Sequence, residues 1–298
     1  MQSETKKPLI SIIMNCYNGE KYISESIKSI IDQTYKNWEL ILWDNCSTDN
    51  SEKIFKKLND KRLKYYKAQN HTTLYHARNL AIQKTTGEYI AFIDTDDLWD
   101  KNKLHEQVKI FLKNSKISVC YTNLWLLKED KKKIFIKKGK SKIINNLLSN
   151  YNLGIITTLI KKKDIDENNY IFNKKYSVIG DFDFFSKLSK NKIFYYLNTP
   201  LAYYRLHPDS FSSKNKKMEV EELKNWLEEN KIKLSNDDVF NVEKRIFLKE
   251  ILYYKLYKNF KDYFNCLTKL KINYINLKLI LLLLIPVVIL KKISWFHN

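Results

Sequence analysis

The sequence predicts an α/β protein: a mainly parallel sheet with helices on both faces, followed by a helical C-terminal extension. Short apolar runs rich in β-branched residues alternate with stretches of helical periodicity from Leu9 to Leu112. The connections between them are short, which is the pattern of strands running parallel under crossover helices. Hydrophobic residues make up 44% of the 298 positions and aromatics 14%, enough for a full core. With only 5 Gly and 4 Pro, the composition excludes collagen-like and low-complexity architectures.

Taken in order, Leu9 to Asn15 reads as a first strand. Glu20 to Gln33 follows as a helix, because Tyr22, Ile23, Ile27, Ile30 and Ile31 recur at helical spacing. Glu39 to Trp43 is a second strand ending at Asp44. Thr48 or Asp49 then caps a helix carrying Ile54, Phe55 and Leu58. Leu63 to Tyr66 is a third strand and Leu74 to Lys84 a helix. Gly87 breaks the chain before a buried strand, Tyr89 to Ile93, and a helix with Leu104, Val108, Phe111 and Leu112 comes next. Beyond Cys120 the pattern is mixed, with strands expected at Val119 to Leu126, Ile134 to Lys137 and Leu201 to His207, and a helix at Ile179 to Leu188. From Lys214 onward the chain reads as helical and charged. The expected organisation is one domain over 1–213 and a helical region over 214–298.

The strand at Tyr89 to Ile93 empties into Asp94-Thr95-Asp96-Asp97, three carboxylates in four positions. Carboxylates this close repel one another, and a hard divalent cation is the simplest compensation. Ligands of parallel sheets bind beyond the carboxyl ends of the strands. That rule places Asn15 to Asn18, Asp44 with Asn45, and Asp94 to Asp97 along one rim, where a metal and a phosphorylated ligand would sit.

The net charge is +20, from 53 Lys and Arg against 33 Asp and Glu, which favours a polyanionic neighbour. The lysines are scattered and carry no nucleic-acid motif, so a basic nucleic-acid-binding module is the weaker alternative and no nucleic-acid partner is expected. Near 275–296 an apolar segment has its uninterrupted core at Leu279 to Leu290, flanked by Lys278, Lys291, Lys292, Trp295 and Phe296. It falls short of the roughly 20 residues needed to span a bilayer and has the layout of an interfacial anchor, although a buried terminal helix pair is also compatible. Cys16, Cys46, Cys120 and Cys266 show no paired metal spacing. With the polar start from Met1 to Lys7, they suggest a cytoplasmic protein, peripheral at the inner face of the cell membrane.

Four motifs follow one another: Ser11-Ile-Ile-Met-Asn-Cys-Tyr17-Asn18, Trp43-Asp44-Asn45-Cys-Ser-Thr-Asp49, Ala77-Arg78-Asn79 and Asp94-Thr-Asp96-Asp97. Over Leu9 to about His207 the chain resembles the nucleotide-sugar domain of family-2 glycosyltransferases, which have the Rossmann-like GT-A fold. The resemblance implies an inverting transferase acting on a nucleotide-diphosphate sugar, UDP favoured, with Mn²⁺ or Mg²⁺ as cofactor. The positive charge and the C-terminal apolar stretch point to a glycan or a lipid-linked glycan as the acceptor, since such acceptors carry phosphates. Tyr17, with Asn18, would meet the nucleobase, and Asp44 and Asn45 the base or ribose. Arg78 would approach the nucleotide, Asp94 would serve the ribose and Asp96 the metal. Asp97 would hydrogen-bond the donor sugar or support the turn.

In Gly180-Asp181-Phe182-Asp183, the base implied is Asp181, and Gly180 stands where the family usually has Glu. Tyr204-Arg205-Leu206-His207 resembles a late family segment in which His207 completes the metal shell, or His207 and Arg205 hold the diphosphate. This chain also departs from the family at Asn45, often Asp, and at Cys46, usually Gly. The Gln-x-x-Arg-Trp segment of processive synthases does not occur, which favours single addition over polymerisation. Retention of Asp94, Asp96, Asp97 and Asp181 speaks against an inactive family member serving as a scaffold.

Overall fold

A computed structural model describes residues 7–128, 133–135, 140–167, 169–257, 260–268, 270, 271, 274, 283 and 284. The chain divides into two compact units, one of Met1–Leu147 with Asn152–Arg205, the other of Leu148–Tyr151 with Leu206–Asn298. The division follows Arg205, earlier than the expected boundary at 213, and the short 148–151 segment packs with the second unit.

In the first unit β1 (Ile10–Cys16), α1 (Ile23–Ile31), β2 (Trp38–Asp44), α2 (Ser51–Lys56), β3 (Leu63–Lys67), α3 (Leu74–Ile82) and β4 (Tyr89–Asp94) alternate as the periodicity predicts. There follow β5 (Leu98–Trp99), α4 (Lys103–Lys113), β6 (Ile117–Leu127), β7 (Lys133–Phe135), β8 (Lys142–Ile144), β9 (Thr158–Lys161), α5 (Lys162–Asp166), α6 (Gly180–Leu188) and β10 (Ile193–Arg205). One sheet joins the strands in the order β3-β2-β1-β4-β9-β6-β10-β5, with β7 on β6 and β8 on β10. The pairs β3–β2, β2–β1, β1–β4 and β6–β10 are parallel. β9 runs antiparallel to both β4 and β6, so the parallel half that the sequence predicts continues into a mixed half.

The strands form where they do because their side chains have dry faces to fill. β1 and β2 are almost wholly buried, with Ile10, Ile12, Met14, Leu40, Ile41 and Leu42 closed to solvent, as strands covered on both faces must be. Glu39 is the exception in this apolar run. Its carboxylate accepts hydrogen bonds from Ser11 Oγ (2.6 Å), Thr86 N (2.7 Å) and Thr86 Oγ1 (2.8 Å), and pairs with Lys64 (2.5 Å). Ser11 Oγ accepts in turn from Gly87 N (2.8 Å). A Cβ at Gly87 would stand 2.7 Å from Leu9 O and Ser11 N, so close backbone approach requires glycine there.

β10 starts well before the expected Leu201 and ends at Arg205, leaving His207 outside it. The Asn198-Thr199-Pro200 stretch reads as a break, yet the strand crosses it with register shifts at Leu197, Pro200 and Ala202. A proline is accommodated in a sheet at such an irregularity. Of the expected strand at Ile134 to Lys137, Ile136 and Lys137 lie outside the described residues.

The second unit contains α7 (Phe211–Lys214), α8 (Lys216–Asn230), α9 (Asn236–Tyr257) and α10 (Phe260–Leu267). Phe247, Ile251, Cys266 and Tyr274 form its buried cluster. Among the described residues no helix is long and apolar enough to cross a membrane. The apolar run Leu279 to Leu290 lies, apart from Leu283 and Leu284, outside the described residues, as do Lys278, Lys291, Lys292, Trp295 and Phe296.

Candidate functional site

Winding from β1 through β2 to β3 proceeds in one direction, and β4 then pairs on the other side of β1. The crevice at this reversal, beyond the carboxyl ends of β1 and β4, is where an open α/β sheet accepts a ligand. It brings Asn15 and Asp94 side by side, as they are register partners. Tyr17, Asn18, Asp44, Asn45, Asp94, Asp96 and Asp97 lie at these strand ends or on the loops that follow them, whereas Arg78 lies on α3, Asp181 on α6 and Arg205 at the end of β10.

The loops after β1 and β2 are zipped together. Asn18 N donates to Ser47 Oγ (3.0 Å), Gly19 N to Ser51 Oγ (2.9 Å) and Glu20 N to Asp49 Oδ2 (2.9 Å), while Thr48 N donates back to Asn18 Oδ1 (2.8 Å). Asp44 is fully buried, accepting from Ser47 N (2.7 Å) and the Tyr65 hydroxyl. Burial and the Asp44 carboxylate push the Tyr65 hydroxyl well up from its ordinary value. Asn45 is equally committed: its amide donates to Thr72 O (2.7 Å) and accepts from Thr72 N and Oγ1 (both 3.1 Å). Both side chains therefore hold the loops that shape the edge.

Asn18 and Cys46 have φ of 52° and 69°, the left-handed region that asparagine tolerates and cysteine does not. A glycine at 46 would relieve this strain at some cost in unfolded-chain entropy, so Cys46→Gly is expected to stabilise the protein by about 0.5–1 kcal/mol. A raised urea midpoint at unchanged slope is the check.

Tyr17 is the exposed aromatic of this rim, 54% accessible, and its ring lies 4.4 Å from that of His71. His71 Nδ1 lies 2.9 Å from Asn45 O, a contact that puts the neutral ring's proton on Nδ1. Sequence reasoning passed over His71 because it falls in a polar loop with no periodicity. The only signal was its position just beyond a strand end. Asn15, on the rim that the sequence places beyond the strand ends, has its amide Nδ2 and Oδ1 buried without a hydrogen-bond partner.

The helix α3 organises the rest. Thr73 caps it, accepting from His76 N. Arg78 on its buried face donates to Asp94 Oδ1 (2.7 Å). Asn79 clasps the backbone of Phe172, donating to its carbonyl (2.8 Å) and accepting from its N–H (2.9 Å). Phe172 in turn stacks on Phe184 of α6 at 4.3 Å. Tyr75 donates its hydroxyl to Val178 O (2.8 Å) and lies 3.3 Å from Asp181 Oδ1 in the first turn of α6. One helix thus holds both Asp94 and the segment that carries Asp181.

Asp97 is buried and Asp94 and Asp96 are partly covered. Burial, with the charges of Asp96 and Asp94, pushes Asp97 well above the usual carboxylate range. Burial also raises Asp94, with Arg78 opposing it. Arg205 braces the turn: its N–H donates to Asp97 Oδ1 (2.8 Å), its Nε to Asp96 O (2.8 Å), and its guanidinium pairs with Glu25 (2.8 Å) over the Tyr22 ring. Asp97 Oδ2 has no hydrogen-bond partner. Among the described residues no three His, Cys, Asp or Glu side chains form a ready metal cage. The hard-oxygen set with one orphaned carboxylate oxygen suits instead a cation held by one or two carboxylates and by ligand phosphates. His207 is buried, at 6% exposure, and belongs to the second unit.

Comparison with known proteins agrees with this architecture. The chain is 32% identical over 212 residues to TuaG of Bacillus subtilis (strain 168), a glycosyltransferase whose name assigns it provisionally to teichuronic acid biosynthesis. That match covers 70% of this chain and 82% of TuaG. It is 35% identical over 167 residues to the Escherichia coli UDP-Glc:alpha-D-GlcNAc-diphosphoundecaprenol beta-1,3-glucosyltransferase WfgD, covering 56% of this chain and 66% of WfgD. The fold is similar to that of Staphylococcus aureus TarS 1-349 in complex with UDP-GlcNAc, with a TM-score of 0.63 at 16% identity over 87% of this chain and 79% of that one. It is also similar to the mannosyltransferase PcManGT of Pyrobaculum calidifontis in complex with GDP-Man and Mn²⁺, with a TM-score of 0.62 at 14% identity over 91% and 83%. The family model "Glycosyl transferase family 2" matches residues 11–192, most of the α/β unit and the motifs within it, and the chain belongs to that family of glycosyltransferases, on the GT-A fold.

Proposed function

We propose that the protein is an inverting, metal-dependent transferase. It would move one sugar from a nucleotide-diphosphate sugar, UDP-linked, to a hydroxyl of a glycan or lipid-linked acceptor in bacterial surface-polysaccharide synthesis. The observation that carries this reading is the α3 hub, which ties the acidic strand end at Asp94 to the segment bearing Asp181. An acceptor-side base and a donor-side carboxylate held by one rigid helix suit in-line displacement at an anomeric carbon.

The exposed face of Tyr17, beside His71, stacks on the base. Asp94, steadied by Arg78, accepts from the ribose hydroxyls. Asp96, with the free oxygen of Asp97, holds Mn²⁺ or Mg²⁺. When bound, that cation neutralises charge on the departing diphosphate. Asp181 takes the proton of the acceptor hydroxyl as its oxygen bonds to the anomeric carbon and the bond from that carbon to the diphosphate oxygen breaks, inverting the centre. WfgD, by its name, uses a UDP-sugar and a diphosphoundecaprenol-linked acceptor. A +20 chain with a basic-flanked apolar segment suits such an acceptor at an anionic membrane surface.

Calorimetry tests the donor side. UDP is expected to bind in the presence of Mn²⁺ and to weaken at least tenfold, about 1.4 kcal/mol, in Asp96→Ala or with chelator. Equal UDP affinity with and without metal would overturn the cation assignment. Tighter GDP binding would overturn the choice of base, and single-stranded DNA binding in place of UDP would return the chain to the nucleic-acid class.

A further inference from the structure

Tyr75 is buried at 3% exposure and has a neighbour that no ordinary residue could replace. A Cβ built on Gly180 would lie 2.4 Å, 2.5 Å and 2.6 Å from Cδ2, Cγ and Cε2 of the Tyr75 ring. Real Cβ atoms do not approach ring carbons so closely, so the ring occupies the space a side chain at 180 would fill. The ring is held from other sides too. Phe172 stacks on it at 5.6 Å, and the Arg78 guanidinium lies 5.3 Å from its centroid. The hydroxyl therefore has a set position, 2.8 Å from Val178 O and 3.3 Å from Asp181 Oδ1.

We infer that Tyr75 is a positioning residue for Asp181, seated by the missing side chain at Gly180 and holding the carboxylate in its ionised, proton-accepting form. This rests on the reading of Asp181 as the base. The phenol has one proton and two acceptors within reach. An ionised carboxylate draws that proton more strongly than a carbonyl does, so the O–H bond turns toward Asp181 when it is charged and back to Val178 O when it is neutral, the oxygen staying in place. Such contacts are commonly long without substrate and tighten when the acceptor arrives. Burial and the Asp181 charge keep the phenol itself far above its ordinary value, so it remains a donor throughout the working range. The charges acting on the phenol besides Asp181 are Arg78, on the same helix, and Asp94 at the end of β4; the other carboxylate in the first turn of α6, Asp183, is paired with Lys187 at 2.7 Å.

The same helix that carries Tyr75 carries Arg78, three positions on and bonded to Asp94. α3 thereby holds the base through Tyr75 and, one turn further along, the donor-side carboxylate through Arg78. A displacement of either shifts the alignment that in-line attack demands.

Tyr75→Phe keeps the ring and removes only the hydroxyl. It is expected to lower kcat about tenfold, leave the KM for the nucleotide sugar within about twofold, and move the acid limb of the kcat profile up by roughly half to one pH unit. An unchanged thermal midpoint identifies the effect as local. Should Tyr75→Phe fail to fold, 3-fluorotyrosine placed at position 75 supplies a more acidic donor, and the acid limb then moves down. Unchanged kcat and an unmoved limb in the variant that folds would overturn the inference. Asp181→Asn run alongside separates the two readings. If Asp181→Asn is inactive while the Tyr75 variant behaves as wild type, only the role of Tyr75 fails. If Asp181→Asn turns over normally, the base assignment itself is wrong.

Discussion

Asp181→Asn is expected to lower kcat by about 10²–10⁴-fold while leaving the affinity for the nucleotide near wild type. The amide matches the carboxylate in shape and can still accept from Phe182 N, which the carboxylate does at 2.8 Å, so the first turn of α6 persists. What the amide cannot do is take a proton from the acceptor hydroxyl. Because the group acts in the transition state and not on the bound donor, the loss falls on kcat and kcat/KM together, with little change in donor binding. Single-turnover assays with saturating nucleotide sugar, alongside calorimetric UDP affinity, separate these quantities. A variant whose UDP affinity falls with its turnover would place Asp181 on the donor side instead.

The largest effect on stability is expected at Glu39. Its side chain is 6% exposed and gathers Ser11, both donors of Thr86, and Lys64. These partners come from β1, β3 and the turn that enters β4, so one carboxylate ties the amino-terminal edge of the parallel half. Glu39→Ala strands the Thr86 N–H and the Ser11 hydroxyl in a dry setting, while Lys64, 40% exposed, returns to water. The cost is about 3 kcal/mol, mostly from the orphaned donors, read as a lower urea midpoint.

The carboxylate also makes this contribution pH-dependent. Burial alone would raise its pKa, but the hydrogen bonds from Lys64, Ser11 and Thr86 outweigh burial and leave it below a free glutamate's 4.5. A lowered carboxylate stabilises the fold fully above the unfolded value and loses that contribution as pH falls through the folded value. The gap in stability between wild type and Glu39→Gln is therefore expected to be widest near neutrality and to narrow as pH falls below the free glutamate's 4.5. A gap that does not change between pH 7 and pH 3.5 would refute the electrostatic account.

How far the sequence could be read depended on whether a feature was local. The first four strands and the helices between them follow the apolar periodicity closely, because each element buries one face of a repeating pattern. Glu39 was read as no more than a strand end. A single carboxylate in an apolar run gives no sign of partners that lie on other strands. β10 was read too short, since Pro200 looks like a terminator unless the neighbouring strand is seen to accommodate it. The antiparallel β9 was missed for a related reason: four residues set directly between a 3-10 turn and the short helix α5 carry too little periodicity to show as a strand.

The candidate site divides along the same line. The acidic turn at Asp94 to Asp97, the aromatic at Tyr17 and the Arg78-Asn79 pair are visible as residue types at strand and helix ends. Their division of labour is not. Asp44 and Asn45 look like ligand-facing polar residues in the sequence, whereas in the fold their polar atoms are engaged by Ser47, Tyr65 and Thr72. Asn79, beside the arginine, clasps Phe172 and so sets the approach to α6.

The sequence by itself determined the alternating α/β architecture, the carboxylate cluster at the end of a buried strand and the membership of a glycosyltransferase family. Each of these is written in neighbouring residues, as a period, a strand end or an ordered motif. Only the tertiary structure decided which polar groups are engaged inside the protein. It also decided that Tyr75 fits against Gly180, and that one helix joins Asp94 to Asp181. Those facts depend on volumes and hydrogen-bond partners brought together from distant parts of the chain, and no local pattern encodes which distant surface will fill a gap or satisfy a buried donor.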